Sequence, residues 1–203
     1  MRALGKAILE AIALVLVLPL VLLYKLHLAV AASRSDEVIQ GYSQLLSLGP
    51  GQPGVFLRRA FYRFALRATP RSWSMGFGTI VATPAIDIGE GTYIGAFCNL
   101  SHATIGADVL IGSNVTILAG KHIHRFDRLD IPIRHQGGEV SPLSIGGDVW
   151  IGNGALVMAD VGPHAVVAAG AVVVKPVPPL AVVAGNPARI LFMRGEVAAE
   201  AVL

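Results

Sequence analysis

The chain has 203 residues, enough for one folded domain with an appendage. Hydrophobic residues make up 54%, charged residues 14% and aromatic residues 6%, so the apolar content is mostly Ala, Val, Leu and Ile; 23 Gly and 12 Pro punctuate the chain more often than a helical bundle tolerates. The formal charge of +3 gives no support to a nucleic-acid partner, and the single cysteine, Cys98, excludes an intramolecular disulfide and fits a reducing compartment. Cys98 lies in an apolar run, where it reads as a buried, inert thiol rather than a nucleophile.

From Ala11 to Tyr24 no residue is charged, and beyond Lys25 the run continues from Leu26 to Ala32 with only His27 as a polar break. The first stretch is too short for a hydrocarbon core of about 30 Å, but the run to Ala32 is long enough if Lys25 snorkels to the interface. Pro19 removes a backbone hydrogen bond mid-run and predicts a kink. Three readings stand: a tilted single span, a kinked hairpin dipping into one leaflet, and a secretory signal. For the last, Arg2 and Lys6 form the positive start, and Ala29-Val30-Ala31 resembles a cleavage site. Residues 1–35 are therefore expected to associate with a membrane. The flanking charges, Arg2 and Lys6 against Lys25 and Arg34, balance and set no orientation.

Residues 36–72 form a basic connecting region. Gly49-Pro50-Gly51-Gln52-Pro53-Gly54 ends anything helical before it. The following VFLRRAFYRFALRATP predicts a helix stopped by Pro70, with Arg59, Arg63 and Arg67 in one four-spaced stripe and Phe56, Ala60 and Phe64 in another. Such a helix suits a lipid headgroup layer or a phosphate-bearing substrate, or equally a helix packed on its own domain with solvated arginines.

The decisive signal is internal periodicity. Hexads begin at Ile88, Ile94, Ile105, Ile111, Ile145, Ile151 and Val167, with a shortened step at Leu100. A period of six fits neither a helix nor a persistent two-residue alternation. It fits a triangular solenoid whose aliphatic residues stack inward, with a small residue following at each crowded corner and neighbouring coils paired as parallel strands. Residues 73–87 are expected to form the first, irregular coils. The steps from Leu100 to Ile105 and from Val157 to Val161 fall short of six, which tightens those coils.

These hexads, with the closing VVAGNPARI, resemble the bacterial hexapeptide-repeat acyltransferase family from about Thr79 to Ile190, in its membrane-associated polysaccharide acetyltransferase type. The resemblance implies an all-β solenoid, a left-handed parallel β-helix over residues 73–190, followed by a tail over 191–203. It also implies a homotrimer with acetyl-CoA as acyl donor in the groove between neighbouring β-helices.

The solenoid is interrupted by a polar insertion over residues 120–143, GKHIHRFDRLDIPIRHQGGEVSPL, carrying His122, His124 and His135 with Asp127, Asp130 and Glu139. A long insert on a rigid scaffold is where function is usually displayed. Attack of a sugar hydroxyl on a thioester is helped by a general base, and imidazole titrates near the working pH. In the family a base resembling the His of VTI, four residues, His leaves a repeat strand; VTILAGKH places His122 there, with His124 as its rival or a substrate contact. His135 reads as an ordinary loop residue and His164 as a corner residue.

By position, Trp150, Asn153, Ala169, Gly170, Lys175 and Arg189 are the cofactor-binding candidates, and Asn99 and Asp127 the acceptor contacts. Each also has a plain structural reading: Trp150 at a subunit seam, the cations as solvated charges, Asn99 as a corner residue. His102 lies about one coil before His122, which raises a zinc reading of the gamma-class carbonic anhydrase kind. His122 and His124 are too close together for that ligand spacing, so no metal is expected. The expected activity is acetyl-CoA-dependent O-acetylation of a polysaccharide, lipopolysaccharide or lipid-linked glycan precursor at the cytoplasmic side of the bacterial inner membrane. The alternatives are a non-catalytic scaffold or a zinc enzyme. A scaffold has no need of a histidine-rich loop.

Overall fold

The computed structural model describes residues 2–120 and 122–196. The part of the expected tail beyond 196 lies outside the described residues.

Three helices precede the repeats: α1 (Arg2–Val30), α2 (Ser35–Ser47) and α3 (Gly51–Ala65). α1 runs unbroken through Pro19, so of the three readings the kinked hairpin does not form. Its stripe of Ala13, Val17, Val21 and Tyr24 is buried against its neighbours, chiefly α3, and joins the common core. The Tyr24 ring packs edge-on to Tyr42 and Phe61. α3 starts at Gly51, inside the expected turn, because Pro53 falls in the first helical turn, where a missing N–H costs nothing. It ends at Ala65, so Arg67 drops out of the arginine stripe. Arg67 instead forms an ion pair with Asp87 of the first coil.

The repeats build a prism with three parallel faces. The first face stacks Ser74–Met75, Tyr93–Ile94, Leu110–Ile111, Trp150–Ile151, Val166–Val167 and Ala181–Ala184. The second stacks Ile80–Val81, Asn99–Leu100, Thr116–Ile117, Leu156–Val157 and Val172–Val173. The third stacks Asp87–Ile88, Ala103–Ile105 and Leu143–Ile145, continued by single bridges to Val161 and Val177. Residues 73–87 thus form the first coil, with a seven-residue step from Val81 to Ile88. Every aliphatic residue at a hexad start is buried, as its inward role requires.

Coil length varies at one edge alone. From third face to first, and from first to second, the inward residue always advances by six, as from Ile88 to Ile94 to Leu100. From second face to third the steps differ: Val81 to Ile88, Leu100 to Ile105, Val157 to Val161, Val173 to Val177, and the whole insertion between Ile117 and Leu143. The shortened coils noted in the sequence and the inserted loop therefore share an edge.

α2 and α3 close the N-terminal end of the prism against its first coil. Buried Arg58 is the joint: it donates to the carbonyls of Leu46 and Gly49 at the end of α2 and twice to Met75 of the first coil. Ser43 and Tyr62 share a 2.7 Å hydrogen bond, and Ser43 Oγ accepts from the Val81 N–H. Burial pushes the Tyr62 phenol up to about 12. At the far end, Arg189–Met193 folds back antiparallel on Ala181–Ala184 and covers the last strand.

Candidate active site

The inserted loop is tied at its neck. The Ser141 N–H donates to Ala119, Glu139 to His122 and Arg125 to Gly137, which draws the outgoing and returning strands together. Gly138 is required for this approach, since a Cβ there would sit 1.9 Å from the Ile123 carbonyl. Gly120 turns the chain out of the prism at φ +84°. Beyond the neck, Gln136 holds the tip by bonding Arg128 at both backbone groups and the Ile131 carbonyl.

His122 and His124 project to the same side and line one cleft of about 310 Å³ with Arg125, Phe126, Asp127 and Glu139. The alternation of an extended segment accounts for this pairing. Both imidazoles are exposed, and neither makes a hydrogen bond among the described residues. Carboxylates in the cleft can receive a charged imidazole; apolar Phe126, itself 72% exposed, offers a surface for a ring or an alkyl arm. All six lining residues come from the loop itself, so within one chain the prism adds no wall.

Asp127 therefore joins the two histidines, while Asn99 stands on the second face in register with Thr116, at the root of the loop. The cofactor candidates divide. Asn153, Ala169 and Gly170 stack on one edge, between first and second faces, where the Gly154 and Gly170 N–H groups are bonded down the column. Asn153 is engaged, its side-chain oxygen accepting from the Ser113 N–H at 2.9 Å. Arg189 lies at the start of the return strand beside the same edge, bonded to nearby carbonyls. Lys175 sits on the other edge, in the column from which the loop leaves. Trp150 stands outward on the first face between Leu110 and Val166, 49% exposed.

His135 occupies a short 3-10 turn at the loop tip, away from the cleft's lining. His164 is at a corner with φ +62°, and its Nδ1 lies 2.9 Å from Asp148, which Arg194 also contacts. The hydrogen bond from His164, and then the Arg194 guanidinium, hold the Asp148 carboxyl below its ordinary range. His102 bonds Thr83 at 3.2 Å and stands 3.8 Å from Asp36 of α2. Among the described residues no three His, Cys, Asp or Glu side chains come together as a metal set. Cys98 is buried, and burial pushes its thiol up, away from the nucleophilic form.

Comparison with known proteins bears on this geometry. Residues 85–119 match the bacterial transferase hexapeptide family of six repeats. The chain therefore carries hexapeptide repeats of the kind found in that family. It is 37% identical over 112 residues to a Saccharomyces cerevisiae protein provisionally described as an acetyltransferase, and the match spans 52% of this chain and 57% of that relative, a little over half its length. The structure of a hexapeptide-repeat acetyltransferase from Vibrio cholerae, solved with acetyl coenzyme A, superposes with TM-score 0.62 at 27% identity, covering 82% of this chain and 91% of that one. A maltose O-acetyltransferase from Clostridium difficile shares the fold, with TM-score 0.65 at 22% identity over 79% and 88% of the two chains. These superpositions include most of the prism, so the hexapeptide repeats and the fold of this family coincide here.

Proposed function

We propose that this protein transfers an acetyl group from acetyl-CoA to a hydroxyl of a polysaccharide, lipopolysaccharide or lipid-linked glycan precursor. It works as a homotrimer of left-handed β-helices on the cytoplasmic face of a bacterial inner membrane. The observation that carries the reading is the pairing of His122 and His124 in one exposed cleft on a tied loop, set in a prism that resembles an acetyl-CoA-bound acetyltransferase.

His122 takes the hydroxyl proton as the sugar oxygen attacks the thioester carbon. The carbon–sulfur bond then breaks, CoA leaves as its thiolate, and the imidazolium returns the proton to sulfur. Asp127 and Glu139 favour the transient imidazolium, and His124 orients the acceptor. A backbone N–H at the prism edge supplies the oxyanion donor. A cleft walled by the loop alone needs a second surface for the thioester, which a neighbouring subunit's edge of Asn153, Ala169 and Gly170 provides in a trimer. Lys175 and Arg189 are the cations proposed for the cofactor phosphates.

Purified full-length protein, labelled acetyl-CoA and a panel of glycans test this. His122→Ala is expected to lower turnover by about 10²–10⁴, the range for a general base. Full turnover in His122→Ala beside loss in His124→Ala reassigns the base, and no transfer to any hydroxyl acceptor by the wild type overturns the activity.

A further inference from the structure

α1 divides lengthwise into two faces. Ala13, Val17, Val21 and Tyr24 are buried, whereas Ile8, Ile12, Val15, Leu18, Leu22 and Leu26 are 45–68% exposed. At 3.6 residues per turn the two sets lie on opposite sides; Lys6 and Lys25 are exposed near the ends of the run, and between them no exposed position carries Asp, Glu, Lys or Arg. The uncharged apolar strip from Ile8 to Leu23 is about 24 Å long.

The helix is long and apolar enough to cross a membrane, but its packing argues for another seat. The Arg59 side chain, 13% exposed, is paired with Glu10 at 3.0 Å, and the Tyr24 hydroxyl points to the Ala65 carbonyl. Crossing the bilayer would carry α3 and its arginines into hydrocarbon or tear α1 away from it. Lying along one leaflet requires neither.

Beside the strip, where α1 meets α3, opens a cavity of about 220 Å³ lined by Glu10, Leu14, Phe56, Arg59, Arg63 and Arg71. Three guanidinium groups face one carboxylate. Arg59 is held by Glu10 and by the Arg71 carbonyl, while the Arg63 and Arg71 side chains have no ion-pair partner among the described residues. We propose that α1 lies in the plane of one leaflet and that this cavity takes the phosphate of an anionic phospholipid headgroup. The inference gives the membrane placement proposed above a geometry and a ligand, and it does not depend on acetyl transfer.

Flotation of the full chain with vesicles of phosphatidylcholine, with or without phosphatidate, tests it. Arg63→Gln with Arg71→Gln is expected to weaken phosphatidate-vesicle binding about 25-fold, roughly fivefold per arginine, and to leave phosphatidylcholine binding unchanged. Leu18→Glu with Leu22→Glu is expected to abolish binding to both while the circular-dichroism melt stays in place. Wild-type binding by the arginine variant overturns the phosphate site; wild-type binding by the glutamate variant, or a soluble dimer that binds no vesicle, overturns the seat. In a Cys98→Ala background, Lys6→Cys and Val30→Cys should react with an impermeant maleimide from the same side of membrane vesicles. Reaction from opposite sides establishes a span and overturns the in-plane geometry.

Discussion

Arg58 donates to the Met75 carbonyl through both Nε and Nη2, at 3.1 and 3.0 Å, with its guanidinium fully buried. Burial lowers its pKa, yet an arginine remains charged. The charge is met by four backbone acceptor contacts, two of them at the carbonyl-rich end of α2, where a cation is favoured. Arg58→Met leaves those carbonyls without donors and is expected to cost about 2–4 kcal/mol of unfolding free energy. Urea titration followed by circular dichroism measures it. A loss under 1 kcal/mol would show that the helical cap does not depend on this joint.

Gly138→Ala separates the loop from the fold. An added Cβ collides with the Ile123 carbonyl and opens the neck that aligns His122 and His124. Acetyl transfer should fall at least tenfold with the melting temperature nearly unchanged, since the loop packs little against the prism. Full activity would mean that the tied neck does not position the histidines.

The Arg67–Asp87 pair fixes the end of the connecting segment to the first coil. Arg67 holds the Asp87 carboxyl below its ordinary value of 3.8, first by hydrogen bonding. A carboxyl depressed in the folded state adds stability above its unfolded pKa, and the increment is lost as pH falls from there through the folded value. The pair is partly exposed and screened by solvent, so the expected increment is small. Asp87→Asn should lower the melt slightly at neutral pH and match the wild type in strong acid; parallel melting curves across pH would refute the linkage.

Tyr93, Leu110 and Trp150 stand one above another on the first face, each about half exposed. Such a ladder is the natural seam for the proposed trimer. Trp150→Asp is expected to shift the assembly toward monomer in light scattering. An unchanged mass would place the seam elsewhere.

The prism was legible in the sequence because stacking repeats one constraint: Ile88, Ile94, Ile105, Ile111, Ile145, Ile151 and Val167 each meet the same narrow interior. The third-face residue Val177 escaped that register, since the shortened edge shifts it out of a six-residue count. His122 and His124 were legible as polar residues where the coils are apolar, and their joint cleft follows from their spacing. Arg58 was not legible, because its neighbours Arg59, Arg63 and Arg67 suggest a solvated stripe and its acceptors are carbonyls distant in sequence. The pairing of Arg67 with Asp87 was hidden for a similar reason: the helix ends two residues before it. The N-terminal run announced its apolarity, but only packing tells which half of α1 is spoken for.

Because two edges of the prism keep a fixed six-residue pitch and the third absorbs every change, the fold separates a ruler from a margin. Residues added at Val157–Val161 or Val173–Val177 would lengthen the margin without displacing a single stacked aliphatic. New loops grafted there would rise in the same column as the histidine arm, giving selection or an engineer a place to reshape what that arm meets while the interior stays as it is.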